Sequence, residues 1–76
     1  MGRLRVLSGA EVCAILASAG FVAVRQRGSH MIMQLRAGDG TITVPVPQHR
    51  EIRTGTLLSI IRQSRLPKAM FESGSA

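Results

Sequence analysis

Two kinds of hydrophobic spacing follow one another along the chain. Between Ser8 and Gly20, the apolar residues Val12, Ile15, Leu16 and Ala19 recur at helical intervals, so they line one face of an amphipathic helix. Ser8-Gly9-Ala10-Glu11 opens that stretch as an S-x-x-E capping box. Gly20 stands where a left-handed residue ends a helix. The spacing predicts a first helix over residues 9–19.

The period then shortens. Phe21-Val22-Ala23-Val24-Arg25-Gln26 is aromatic and β-branched and reads as a strand. Gly28-Ser29 reads as a hairpin turn, because Gly tolerates the positive φ of tight hairpins. His30 to Leu35 reads as a second strand, with Met31, Met33 and Leu35 on one face and His30, Ile32 and Gln34 on the other. The uniformly apolar methionine face is assigned to the core, which leaves His30 pointing away from it. Ala37-Gly38-Asp39-Gly40 marks a turn, and Thr41 to Val44 a third strand that Pro45 and Pro47 end.

Gln48 to Arg53 is polar and basic and reads as a loop. Thr54 is positioned to cap a second helix over residues 55–65, with Leu57, Ile60 and Ile61 as its inner stripe and Leu58 at the edge. Arg62 and Arg65 fall near its C-terminus, where cations are favoured. Leu66-Pro67 breaks it, Lys68 to Glu72 form one more turn that docks Met70 and Phe71, and Ser73 to Ala76 are expected to be disordered. The result is an α+β fold of order α-β-β-β-α. Two helices cover one face of a three-stranded antiparallel sheet and the other face stays open. Residues 1–76 make a single domain with an ordered core of about 8–72.

Charge changes this picture from a small scaffold to a nucleic-acid candidate. Ten Lys+Arg against four Asp+Glu give a formal net charge of +6, and all of the ten except Lys68 are arginine. Arginine presents a planar fork suited to phosphate, so nucleic acid is the first partner to consider and an acidic protein the second. A chain this short buries only about 60% of its unfolded surface, which favours a surface site over a deep small-molecule pocket. The single Cys13 excludes an intramolecular disulfide and fits a reducing cytoplasm. Ala17-Ser18-Ala19 after a basic start has the look of a signal-peptidase site. Glu11 interrupts the approach and the apolar run is short, so the capped helix is preferred, and no run is long enough to span a bilayer.

The chemistry available is limited. Glu11 is a cap, Asp39 lies in a turn and Glu72 in a tail, so Glu51 has no carboxylate partner and no Mg²⁺ cage is legible. Two histidines without thiolates make no convincing zinc site. What remains is His30 and His49 among arginines. Histidine ordinarily titrates near neutrality. A metal-free ribonuclease needs a group to move the proton of the RNA 2′-hydroxyl and cations to hold the phosphate. His30 is the candidate acid or base. Arg25 and Arg27 are the candidate phosphate clamps beside the Gly28-Ser29 turn, and Arg50, Arg53 and Lys68 are further phosphate contacts. For His49, a second acid/base and a plain loop residue are equally supported. Trp and Tyr are absent and Phe21 and Phe71 suit the core, so binding through phosphate is expected to outweigh base stacking. On pattern alone a hairpin with solvated charges, a non-catalytic RNA-binding module and a protein module for an acidic partner all stay open.

One further observation bears on these alternatives. Ala19-Gly20-Phe21, Arg25-Gln26-Arg27-Gly28-Ser29-His30, Val44-Pro45-Val46-Pro47-Gln48-His49 and Gly55-Thr56-Leu57 with Arg62-Gln63 occur in this order and spacing. The set resembles the HicA toxin family, also called YcfA-like, from about Gly9 to Phe71. The resemblance implies a double-stranded-RNA-binding-domain-like fold, an mRNA-cleaving toxin of a bacterial toxin–antitoxin pair, and a HicB-type antitoxin as partner. It implies that the histidine of Gly28-Ser29-His30 is the essential catalytic residue. Many members carry a second histidine directly after it, where this chain has Met31.

Overall fold

A computed structural model describes residues 2–73. Its elements are β1 (Arg3–Leu4), α1 (Gly9–Ser18), β2 (Val22–Arg27), β3 (His30–Ala37), β4 (Gly40–Pro47), α2 (Thr54–Ser64), a 3₁₀ turn (Lys68–Phe71) and β5 (Glu72–Ser73). β2, β3 and β4 form an antiparallel sheet in that order, with β3 central, and β1 and β5 make a separate two-stranded pair. The α-β-β-β-α core with both helices on one sheet face is the architecture expected from the sequence and is consistent with a double-stranded-RNA-binding-domain-like fold.

Helix α1 is fixed at both ends by its own sequence. Glu11 N–H donates to Ser8 Oγ at 3.1 Å and Ser8 N–H donates to Glu11 Oε1 at 2.9 Å, closing the capping box. At the other end Gly20 takes φ 102°. Its N–H reaches the Ala17 carbonyl and the Phe21 N–H reaches the Leu16 carbonyl, a Schellman closure that turns Phe21 into the core. Helix α2 starts differently from the expectation. Thr54 is its first residue rather than its cap, and the N-cap is Arg53, which makes no side-chain capping bond. The helix ends on Arg65 at φ 62°, a left-handed position that glycine usually fills, and Pro67 then prevents continuation.

The sheet differs from the sequence reading in three places. β2 begins at Val22 and carries a bulge: Ala23 pairs with Met33 and Arg25 with Ile32, so Val24 is the extra residue. β4 runs through both prolines to Pro47 instead of stopping at Val44. It is an edge strand, and Gln48 N–H donates to the Ser29 carbonyl. Even-numbered amides of this strand therefore face β3, and the odd-numbered prolines turn their missing N–H to the free edge, where it costs no ladder bond. In β3 the methionine face packs on the core, with Met33 fully buried and Met31 and Leu35 half-buried. The opposite face is not uniformly open, since Ile32 is 6% exposed between its ladder partners Arg25 and Pro45.

The core also recruits residues outside the predicted elements. Leu7 is 0% exposed, and Ile52, in the segment read as a polar loop, is buried and donates its N–H to the Leu7 carbonyl. Phe71 docks from the 3₁₀ turn as expected and is fully buried, a side chain whose burial contributes about 1.5–3 kcal/mol. Ser73, expected in a disordered tail, pairs with Arg3. The rest of that expected tail, residues 74–76, lies outside the described residues.

Candidate active site

The β2–β3 hairpin brings the first group of charges together. Gly28 adopts φ 56°, and a Cβ at this position would meet no atom within 4 Å. Its role is therefore conformational: it makes the tight turn that sets register. That register pairs Arg27 with His30 and Arg25 with Ile32. The bulge at Val24 matters here. In an unbroken strand Arg25 and Arg27 would share the face of Ala23, which pairs with core residue Met33. The extra residue switches them to the face of Ile32 and His30.

Two shallow grooves follow one another along β4. The first has a volume of about 270 Å³ and is lined by Arg27, His30, Ile32 and Pro45. The second, about 340 Å³, is lined by Pro47, His49, Glu51, Ile52, Arg53 and Thr56. Pro45 and Pro47 lie on the same face of β4 by alternation, and Pro47 is the ladder partner of His30. His49 leaves the sheet immediately after Gln48, whose amide bonds Ser29, and its own carbonyl accepts the Gly9 N–H at 2.9 Å. The start of α1, the end of β4 and the Gly28-Ser29 turn are thus tied at one corner.

Among the described residues, Arg25, Arg27, His30, His49, Glu51 and Arg53 make no side-chain hydrogen bond or ion pair. All six are exposed, and the three arginines among them are available to an external anion. No three His, Cys, Asp or Glu side chains gather into a metal-binding group among these residues. Arg50 is exposed in the loop after β4 but lines neither groove. Lys68 stands on the 3₁₀ turn, which packs against α1 and β5 rather than on the hairpin side. It does not join the other candidate residues. Cys13 is half-buried in a third, apolar groove of about 590 Å³ between α1 and β2. Burial pushes its thiol pKa up, against a weaker opposing hydrogen bond from Gln48, which suppresses thiolate chemistry.

The sequence profile of the HicA toxin of bacterial toxin–antitoxin pairs matches residues 9–66. The chain belongs to the HicA toxin family. Comparisons with curated proteins and with solved structures gave no match. The HicA match spans the hairpin, both grooves and all of α2, and it stops before Lys68. Among the described residues no helix is long and apolar enough to cross a membrane.

The sequence did not reveal the apolar lining of these two grooves. Ile32 and Pro45 line the first groove and Pro47 and Ile52 the second. The spacing of Ile32 from His30, two residues along one strand face, was the available signal. The prolines hid theirs by suggesting a strand end.

Proposed function

We propose that this HicA-family chain is a cytoplasmic, metal-independent endoribonuclease that cleaves mRNA and is held inactive by a HicB-type antitoxin. The observation that carries the reading is the pairing of exposed His30 with Arg27, free of any ion pair, in one groove at the tip of the sheet. A phosphate seated there meets a guanidinium able to hold two of its oxygens and an imidazole able to exchange a proton with it.

The chemistry follows from those two groups. The RNA 2′-hydroxyl loses its proton and attacks the adjacent phosphorus. The bond from phosphorus to the 5′-oxygen breaks, and that oxygen takes up a proton. His30 serves as general acid or base in this exchange, and Arg27, with Arg25 beside it on the same face, stabilises the negative charge that builds on the phosphoryl oxygens. Ile32, buried between its ladder partners, lines the same groove as His30 and Arg27.

Incubation of purified protein with single-stranded RNA in EDTA tests the reading. The expected products end in a 2′,3′-cyclic phosphate and a 5′-hydroxyl. Products carrying a 5′-phosphate, or activity restored only by Mg²⁺, would rule the mechanism out. RNA binding without cleavage would favour a non-catalytic module on the same scaffold.

A further inference from the structure

Glu51 is out of place on a surface built to hold phosphate. The chain has four acids, of which Glu11 is spent in the capping box, Asp39 lies in the β3–β4 turn and Glu72 belongs to β5. Glu51 is the one that lines a groove beside the candidate site, and it makes no ion pair although Arg50 and Arg53 flank it in sequence. A carboxylate there weakens phosphate binding by like-charge repulsion. It is, however, a strong hydrogen-bond acceptor, and the exocyclic amine of a nucleobase is a donor that RNA presents to such a group.

The rest of the second groove suits a base. Pro47 and Ile52 give it apolar walls, the His49 ring offers a stacking plane, and Thr56 adds a hydroxyl. Its volume of about 340 Å³ falls in the range of small-ligand sites. Its position is set by the ladder: Pro47 is the partner of His30, and Pro45, two residues earlier on the same face, lines the first groove. Pro45 and Pro47, one lining each groove, are therefore about 7 Å apart along the strand, a spacing within the reach of one nucleotide.

Resting on the ribonuclease reading above, we infer that the second groove receives the base next to the scissile phosphate, and that Glu51 selects a base bearing an exocyclic amine. Cytosine and uracil separate this cleanly, because they differ at the 4-position as amine and carbonyl. Glu51 accepts from the amine of cytosine and repels the carbonyl oxygen of uracil. Glu51→Gln reverses part of this preference, since its amide can donate to the carbonyl.

The experiment compares binding of oligocytidine and oligouridine by the His30→Ala protein, with and without Glu51→Gln, by fluorescence anisotropy. Cytosine is expected to bind about tenfold more tightly, the lower part of the range for a base-reading contact, and Glu51→Gln to collapse that ratio toward one. Loss of a negative charge alone would raise affinity for both homopolymers equally and leave the ratio unchanged, and that result overturns the inference. Equal affinities before substitution overturn it as well. Cleavage of a randomised RNA by the protein with His30 intact supplies the second arm, where Glu51→Gln is expected to admit uracil at one position flanking the cut. An unchanged cleavage pattern counts against the inference, whereas absent cleavage counts against the ribonuclease reading and leaves the binding ratio to decide on Glu51.

Discussion

Arg27 and His30 face each other as ladder partners at the mouth of the β2–β3 hairpin. Their side chains therefore stand on one face, separated by the short cross-strand distance of about 4.5–5.5 Å between Cβ atoms. One is a permanent cation and the other carries an imidazole. A single phosphate can engage both without any rearrangement of the backbone, because the two-residue Gly28-Ser29 turn holds the register.

His30→Ala is expected to lower RNA cleavage by about 10²–10⁴-fold, the usual contribution of a general acid or base. The fold is expected to survive, since His30 is exposed and makes no hydrogen bond to lose. Cleavage kinetics in EDTA, alongside a thermal melt, check both halves. Near-normal cleavage by a folded variant would remove His30 from the mechanism.

The arginines should separate by their place in the fold. Arg25→Gln and Arg27→Gln each remove a cation from the hairpin face, so the log–log salt dependence of single-stranded RNA binding is expected to flatten by about 0.7 for each phosphate that is no longer neutralised. Lys68→Gln acts as the contrast, because Lys68 belongs to the 3₁₀ turn that packs on α1 and β5 and lines neither groove. Equal flattening by all three would mean that RNA wraps the molecule and does not select the hairpin.

Much of the architecture was legible because local signals and burial agree. The capping box at Ser8 and Glu11, the Gly20 closure and the stripe of Leu57, Ile60 and Ile61 each have one cheap explanation, and each is present. The failures have a different character. The bulge at Val24 leaves no trace in composition, yet it decides which face Arg25 and Arg27 occupy. Pro45 and Pro47 end most strands but not one whose free edge needs no donor. Ile52 and Leu7 lack a periodic neighbour, so their burial depends on a contact between distant segments. His30 with Arg27 could be named from the hairpin alone, whereas the second groove needs the meeting of β4, its following loop and α2.

Two glycine substitutions test how tightly the corner behind the site is built. Gly9 begins α1 where a Cβ would collide with the Pro47 carbonyl oxygen and come within 2.9 Å of Gln48 Cα. Gly9→Ala should therefore destabilise the protein by about 1–3 kcal/mol, as overpacking does, despite alanine's better helix propensity. Gly55 lies in α2 with nothing within 4 Å of the same position, and Gly55→Ala should stabilise by about 0.4–1 kcal/mol. Urea unfolding of the two variants measures both signs. A neutral Gly9→Ala would show that the junction of α1 and β4 can relax.

Glu11 gives the fold a defined acid sensitivity. Hydrogen bonds from Ser8, first the backbone N–H and then the hydroxyl, lower its carboxyl pKa. A depressed folded-state pKa means stability that is present above the unfolded value of about 4.3 and lost as pH falls through the folded value. The cost of Glu11→Ala should accordingly be largest near neutrality and fade under acid, which chemical unfolding at a series of pH values would record. A cost independent of pH would assign Glu11 a role in helix propensity alone.

Inhibition is the last property the surface constrains. The two grooves lie at the surface beside exposed arginines, where a protein can cover both at once. Arg25, Arg27 and Arg53 are unpaired among the described residues, and the chain carries a net charge of +6. A HicB-type antitoxin that presents Asp and Glu to these arginines gains electrostatic steering, so association is expected to be fast at low salt and slower as salt screens the charges. An interface on these arginines is expected to cover His30 as well, since its ladder partner is Arg27. The inhibited complex is therefore expected to be unable to bind RNA, and not merely unable to cleave it. The measurement uses the His30→Ala protein, so that cleavage cannot consume the probe, and compares RNA affinity of free toxin and purified complex. A complex that holds RNA as tightly as the free protein would place the antitoxin away from the hairpin, and inhibition would then have to act on the catalytic step instead of on access to the site.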